Sequence, residues 1–79
     1  MAAMTTLLGL RDGDRAVVRE IGGGTNVRRR LNRMGLHAND LIRVVKCGYF
    51  GGLVLIEVHG MEFGIGRAMA EKVAVEVSG

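Results

Sequence analysis

The segment from residue 22 to residue 36, GGGTNVRRRLNRMGL, constrains the fold most, because it contains a helix together with signals for its start and its end. The three glycines at its start allow backbone conformations that other residues rarely adopt. Thr25 or Asn26 can then cap the first helical turn, and Gly35 accepts the positive φ that commonly follows the last turn. The segment therefore predicts a short helix over about residues 26–34.

One side of this predicted helix is apolar. Val27, Leu31 and Met34 recur at the i, i+4, i+7 spacing of a helical face. An amphipathic helix normally turns such a stripe toward the core. We expect these three residues to form a structural face that holds the helix on the rest of the domain.

The rest of the helix surface is strongly basic. Without Arg28, Arg29, Arg30 and Arg33 the formal net charge of +3 would be −1, so the basic character of the chain is local. On a helical wheel Arg29, Asn32 and Arg33 lie opposite the apolar stripe, and the other two arginines flank it. Arginine binds carboxylate or phosphate through two parallel hydrogen bonds. We interpret Arg28, Arg29 and Arg33 as a docking surface for an acidic partner; a merely solvated helix face is the alternative.

Size and composition describe one small domain. The chain has 79 residues, of which 48% are hydrophobic, and this favours a folded chain over a disordered one. Its single cysteine, Cys47, has no partner for an internal disulfide, which indicates a reducing compartment. The chain begins with Met but shows no basic leader, and no stretch approaches the roughly 20 apolar residues that span a bilayer. We therefore expect a free-standing cytoplasmic protein of one domain, residues 1–79.

Five segments rich in β-branched or alternating apolar residues predict short strands. They are residues 15–21, 41–47, 53–59, 61–65 and 73–77. Gly60 predicts a tight hairpin turn, residues 67–72 predict a short helical turn, and residues 1–9 are expected to be loosely held. Because a small open sheet exposes its edges, we expect a mainly β domain that forms a small barrel with one arginine-rich helix.

Two aromatic residues, Tyr49 and Phe50, lie in a loop between glycines. Aromatic side chains are enriched at protein interfaces. The predicted strands supply few large side chains to the core. We therefore expect Phe50 to fold back onto the core and Tyr49 to contact a partner.

The chain offers little for a metal site or for catalysis. Glu57 and His59 are two residues apart on a predicted strand, so they share a face and could form half of a metal site. Cys47 is a third weak candidate, but no CxxC or HxxxH pair is present. We expect no resident cofactor, and at most weak or transient binding of Fe²⁺ or another divalent ion. No candidate nucleophile has a general base at a sequence spacing typical of a catalytic pair, so we expect no enzymatic activity.

Two groups of motifs carry a resemblance to a known family. The first is Arg-Arg-Leu at residues 29–31 with Met34-Gly35-Leu36, set after the glycine-rich turn. The second is the pair of alternating strands around Gly60, followed by Ala70 and Val73. Together these features resemble the FeoA family over about residues 10–77. Many members have Pro-Gly near residues 38–39, whereas this chain has no proline, and that difference concerns the shape of a loop.

The resemblance implies an SH3-like small β-barrel and an accessory role in bacterial ferrous iron uptake. It also implies a partner, the FeoB-type permease with its cytosolic GTP-binding domain, which would hold this protein at the inner membrane. The same type of domain is found in iron-dependent repressors of the DtxR kind. In this interpretation Arg28, Arg29 and Arg33 supply electrostatic complementarity to the partner.

Two other functions remain as alternatives. One is a small barrel that binds nucleic acid, to which the arginines would be attracted. The other is a metal sensor that uses Glu57, His59 or Cys47. The sequence leaves open whether the protein forms a weak homo-oligomer and what it does to the permease.

Overall fold

A computed structural model describes residues 3–49 and 52–78 of the chain. Its elements, in chain order, are β1 (Ala3–Thr6), a short 3-10 helix (Leu7–Gly9), β2 (Arg15–Ile21), α1 (Gly24–Met34), β3 (Leu41–Tyr49), β4 (Leu53–Val58), β5 (Met61–Ile65), α2 (Arg67–Ala70) and β6 (Val73–Ser78). The strands form one antiparallel sheet in the order β1-β6-β2-β3-β4-β5. The prediction of a mainly β domain with one arginine-rich helix is confirmed.

The first residues of the chain differ from the prediction. Residues 1–9 were expected to be loosely held, but Ala3–Thr6 pairs along its whole length with β6, and this strand brings the described total to six. The reason is tertiary: β6 lies between β1 and β2, so both of its edges are paired. Leu7, which follows β1 directly, is fully buried and anchors the segment.

The hairpin between β4 and β5 matches its prediction. Val58 pairs with Met61, so the turn consists of His59 and Gly60 alone. Both take positive φ, 53° and 79°, which is the conformation of the two-residue turn that suits the twist of a hairpin. Histidine is one of the non-glycine residues that occupy this region more often than most.

The core is aliphatic, as the small number of aromatic residues predicted. Every strand from β2 to β6 contributes to it, and its largest fully buried side chains are Leu7, Leu31, Leu36, Ile42, Ile56, Ile65, Val18, Val44, Val54, Val73 and Val75. Among the residues described, none with a polar or charged side chain is buried. Stability therefore rests on apolar burial rather than on interior ion pairs.

Helix α1 begins differently from the prediction. Neither Thr25 nor Asn26 caps it; the capping position is Gly23, with φ 86°, and no side chain bonds to the first turn. Gly23 also lies close to a neighbour, since a Cβ there would be 2.6 Å from Cδ of Lys72. The exit is as predicted: Gly35 has φ 104°, and its amide donates to the carbonyl of Asn32 at 3.1 Å.

The apolar face of α1 is narrower than its spacing predicted. Leu31 is fully buried and Val27 is partly buried against the core. Met34 is 37% exposed, so it contributes less to the packing than expected. Leu36, just beyond the helix end, is fully buried, so it is the buried apolar side chain at this end of the helix instead of Met34. The helix is thus anchored by Leu31 within it and by Leu36 just after it, both of which belong to the core.

Replacing Leu31 by Ala should destabilise the fold by about 2–5 kcal/mol, because a fully buried leucine is lost and a cavity remains. Met34→Ala is the matched control on the same helix and should cost about 1 kcal/mol or less. Chemical denaturation followed by circular dichroism measures both free energies of unfolding. Equal losses in the two variants would show that Leu31 does not anchor the helix.

Candidate docking surface on the basic helix

Helix α1 places its outward-facing polar side chains around one shallow depression. The depression has a volume of about 400 Å³ and is lined by Thr25, Arg28, Arg29, Asn32 and Arg33. All five residues are exposed. The structure thus brings together the three arginines that the sequence singled out. Arg30 is exposed as well but does not line this depression.

These arginines carry charge that the described part of the protein does not neutralise. Helix α1 contains no acidic residue, and the ion pairs formed by arginines elsewhere use Arg19 with Glu76 and Arg43 with Glu57. Within the described residues, Arg28, Arg29 and Arg33 make no ion pair. A guanidinium remains charged at any ordinary pH. The outer face of α1 is therefore a permanently cationic surface with free hydrogen-bond donors.

The three weak metal candidates are not brought into one site. Glu57 and His59 line a common depression, but the prediction that they share a strand face is wrong, because β4 ends at Val58 and His59 lies in the turn that follows. However, Glu57 accepts a bond from Arg43 at 3.3 Å, and His59 Nε2 lies 3.1 Å from Asp40 Oδ1. Cys47 lies at a different depression. Across the two described stretches of chain, no three His, Cys, Asp or Glu side chains are grouped as a metal ion would require.

Asp40 is a contact point that the sequence analysis missed. Its side chain is 15% exposed and receives the backbone N–H of His37 at 2.8 Å as well as the contact from His59. The bond from His37 ties the loop after α1 to the start of β3. The bond from His59 links that loop to the turn between β4 and β5. The spacing of three between His37 and Asp40 is a local signal for such a turn, whereas the contact with His59 has no local signal.

The side chain of Cys47 is hydrogen-bonded to Asp12. Its Sγ donates to Asp12 Oδ1 at 3.1 Å, and its backbone N–H donates to the same oxygen at 2.9 Å. The hydrogen bond from the thiol to this carboxylate raises the pKa of Cys47, and burial adds to the rise. The same bond lowers the pKa of Asp12. A thiol that keeps its proton is a weak nucleophile and a weak metal ligand.

The aromatic loop lies largely outside the described residues. The prediction that Tyr49 lies in the loop is wrong, because β3 continues past residue 47 and ends at Tyr49. The side chain of Tyr49 and the whole of Phe50 lie outside the described residues. The expectations of a contact role for Tyr49 and a core role for Phe50 stay predictions.

The fold and the basic helix define a class of protein: a small SH3-like β domain that presents a cationic helix on its surface. The comparison with known proteins makes the assignment specific. The model of the FeoA domain matches residues 5–77, so the chain belongs to the FeoA family, a family of ferrous iron transport proteins.

Individual relatives agree with this assignment. A protein of Methanocaldococcus jannaschii named Fe(2+) transport protein A is 30% identical over 66 residues, which cover 84% of this chain and 78% of that protein. The crystal structure of an iron uptake regulatory protein, FeoA, is 33% identical, with a TM-score of 0.87, and covers 96% of this chain and 99% of its own. A FeoA protein from Chlorobium tepidum is 29% identical, with a TM-score of 0.84, over 95% of this chain and 71% of its own.

The fold also occurs in a different kind of protein. A manganese-dependent transcriptional repressor matches 99% of this chain with a TM-score of 0.87 at 20% identity. The chain spans 44% of that repressor's length. At this identity the likeness concerns the fold alone.

The length and apolarity of the helices bear on membrane insertion. In the part of the chain that the structure describes, neither α1 nor α2 could cross a bilayer as a helix.

Removing the carboxylate of Asp12 should make Cys47 more reactive, because the pKa of the thiol then falls toward its ordinary value. In Asp12→Ala, the rate of alkylation by iodoacetamide near pH 8 should rise, and the pH profile of that rate should move to lower pH. Glu62→Ala removes an exposed carboxylate from β5 and is the control. An unchanged profile in Asp12→Ala would show that Asp12 does not hold the thiol proton.

Proposed function

We propose that this protein is a cytoplasmic accessory component of ferrous iron uptake and acts by docking to a FeoB-type membrane permease. The observation that carries the proposal is the depression on α1, in which Arg28, Arg29 and Arg33 converge without an ion-pair partner among the described residues. Membership of the FeoA family supports a role in ferrous iron uptake. The arginine surface of α1 supports docking as the way in which the protein acts.

The chemistry available on this surface is recognition rather than bond breaking. Guanidinium groups offer paired donors to a carboxylate, and a row of them steers an oppositely charged partner during encounter. The thiol of Cys47 is hydrogen-bonded to Asp12 and lies elsewhere on the domain. We therefore assign the protein a binding role without catalytic turnover, and any contact with Fe²⁺ would be weak and transient.

The arrangement of α1 suits docking for a second reason. Leu31 and Leu36 are fully buried beneath the helix, so the arginines stand on a backbone that is fixed to the core. A surface that is already ordered loses less conformational freedom when it binds. The natural counterpart is an acidic surface on the cytosolic GTP-binding domain of the permease.

Reversing the charge at two outer positions should weaken this complex strongly. We expect Arg29→Glu/Arg33→Glu to bind the cytosolic domain of the permease on the order of tenfold or more weakly than the unmodified protein, mainly through slower association. Arg11→Glu/Arg30→Glu is the matched control. Each reversal removes two units of charge, so both double variants have a formal net charge of −1 instead of +3.

Surface plasmon resonance at two salt concentrations measures the association and dissociation rates of each double variant. Because the two variants have the same net charge, a difference between them reports the position of the reversed charges. Equal weakening by the two double variants would mean that only the overall charge matters. Unchanged binding by both would remove the basic helix from the mechanism. Retention on single-stranded RNA in place of the permease would favour the nucleic-acid alternative.

A further inference from the structure

A second depression lies beside the first, between α1, the end of β2 and the loop that follows α1. It has a volume of about 400 Å³ and is lined by Arg19, Glu20, Ile21, Arg28, Asn32, His37 and Ala38. We call it the α1–β2 groove. Arg28 and Asn32 line both depressions, so they form the ridge between the outer face of α1 and this groove.

The two arginines of the groove differ in what already holds them. Arg19 donates from Nε to Glu76 at 3.0 Å and from a terminal nitrogen to Asn39 at 3.3 Å. Its guanidinium is thus positioned, and three of its five N–H groups are left over. Arg28 makes no ion pair within the residues described. The groove therefore contains one guanidinium that is already held in place, that of Arg19, and one that is free to bond to a ligand, that of Arg28.

The groove also has an apolar part and an acidic wall. Ile21 is 6% exposed and forms its floor, while Ala38 adds a methyl group at the rim. Glu20 lines the same space, and it would repel a continuous row of phosphates. A single carboxylate on a short aliphatic stem fits this combination better than a polyanion does, because its stem covers the apolar floor while its charge meets Arg28.

We propose that the α1–β2 groove binds one glutamate side chain from a segment of the docking partner. The carboxylate bonds to Arg28 and to the side-chain amide of Asn32, and the methylene groups pack on Ile21 and Ala38. Glu20 and the nearby Glu76 favour a neutral or basic residue next to that glutamate. The inference rests on the proposed function, since it names the residue type by which the partner is recognised.

The first experiment uses a peptide probe and the full protein labelled with ¹⁵N. The probe is an acetylated, amidated peptide, Ala-Ala-Leu-Glu-Lys-Ala, and its control replaces Glu with Gln. We expect the glutamate peptide to shift the amide resonances of Asn32 and Ala38, and the glutamine peptide to bind on the order of tenfold more weakly. Equal shifts with both peptides, or shifts centred on another face, would overturn the proposal.

Two pairs of variants locate the site. Ala38→Trp fills the groove, and Ala68→Trp places the same side chain at an exposed position of α2; only the first should abolish peptide binding. Arg28→Glu should do the same, whereas Arg30→Glu, on the same helix and with the same change of charge, should not. The amide spectrum of Ala38→Trp would reveal whether this substitution disturbs the loop. If it does, Arg28→Glu and its control Arg30→Glu still decide the test.

The second experiment separates this inference from the proposed function. The cytosolic domain of the permease is titrated against Ala38→Trp and against Arg29→Glu/Arg33→Glu. Weakening in both variants supports the groove and the docking function together. Binding that survives Ala38→Trp but not the double variant overturns the groove alone. A glutamate peptide that binds while the permease domain does not would overturn the proposed partner and leave the groove as a carboxylate site.

Discussion

Burial of Leu31 on α1, and of Leu36 just after it, is the interaction on which the proposed docking surface depends. The helix contributes few other apolar contacts, since Met34 is partly exposed and Val27 only partly covered. Without this anchor, a short helix with four arginines and a glycine entry would be unstable in water. The core below it is aliphatic, and β1 at one edge of the sheet is followed directly by the buried Leu7. The sheet therefore acts as a rigid base for one cationic element.

The ion pairs of the described residues leave the arginines of that element without a carboxylate partner. Arg19 and Arg43 lie on strands and are paired across the sheet with carboxylates. Helix α1 has arginines at three consecutive positions and at Arg33, with no acidic residue within reach along its own turns. Charges of one sign on a single helix repel each other and lower its stability slightly. An acidic partner of the kind we propose would offset this cost.

Much of the fold could be predicted from local patterns. Strand β2 and the hairpin of β4 and β5 follow from β-branched and alternating residues, and the exit of α1 follows from Gly35. Of two features that were not predicted, the first strand depends on a contact that is distant in sequence, and the start of α1 depends on its own glycines. Strand β1 forms because β6 offers it an edge, and its sequence AMTT has no strong strand signal of its own. The helix entry at Gly23 was missed because two glycines with positive φ replaced a side-chain cap. The grouping of the arginines was predictable from helical spacing, whereas the α1–β2 groove required the position of β2.

We propose that α1 is the surface through which this FeoA-family protein recognises its partner. Amide chemical shifts of the ¹⁵N-labelled protein, recorded while the cytosolic domain of the permease is added, test this proposal most directly. We expect the changes to concentrate on α1 and the loop after it, with β1 and β5 nearly unaffected. Changes that centre on the β4–β5 hairpin or on β1, with α1 unperturbed, would contradict it.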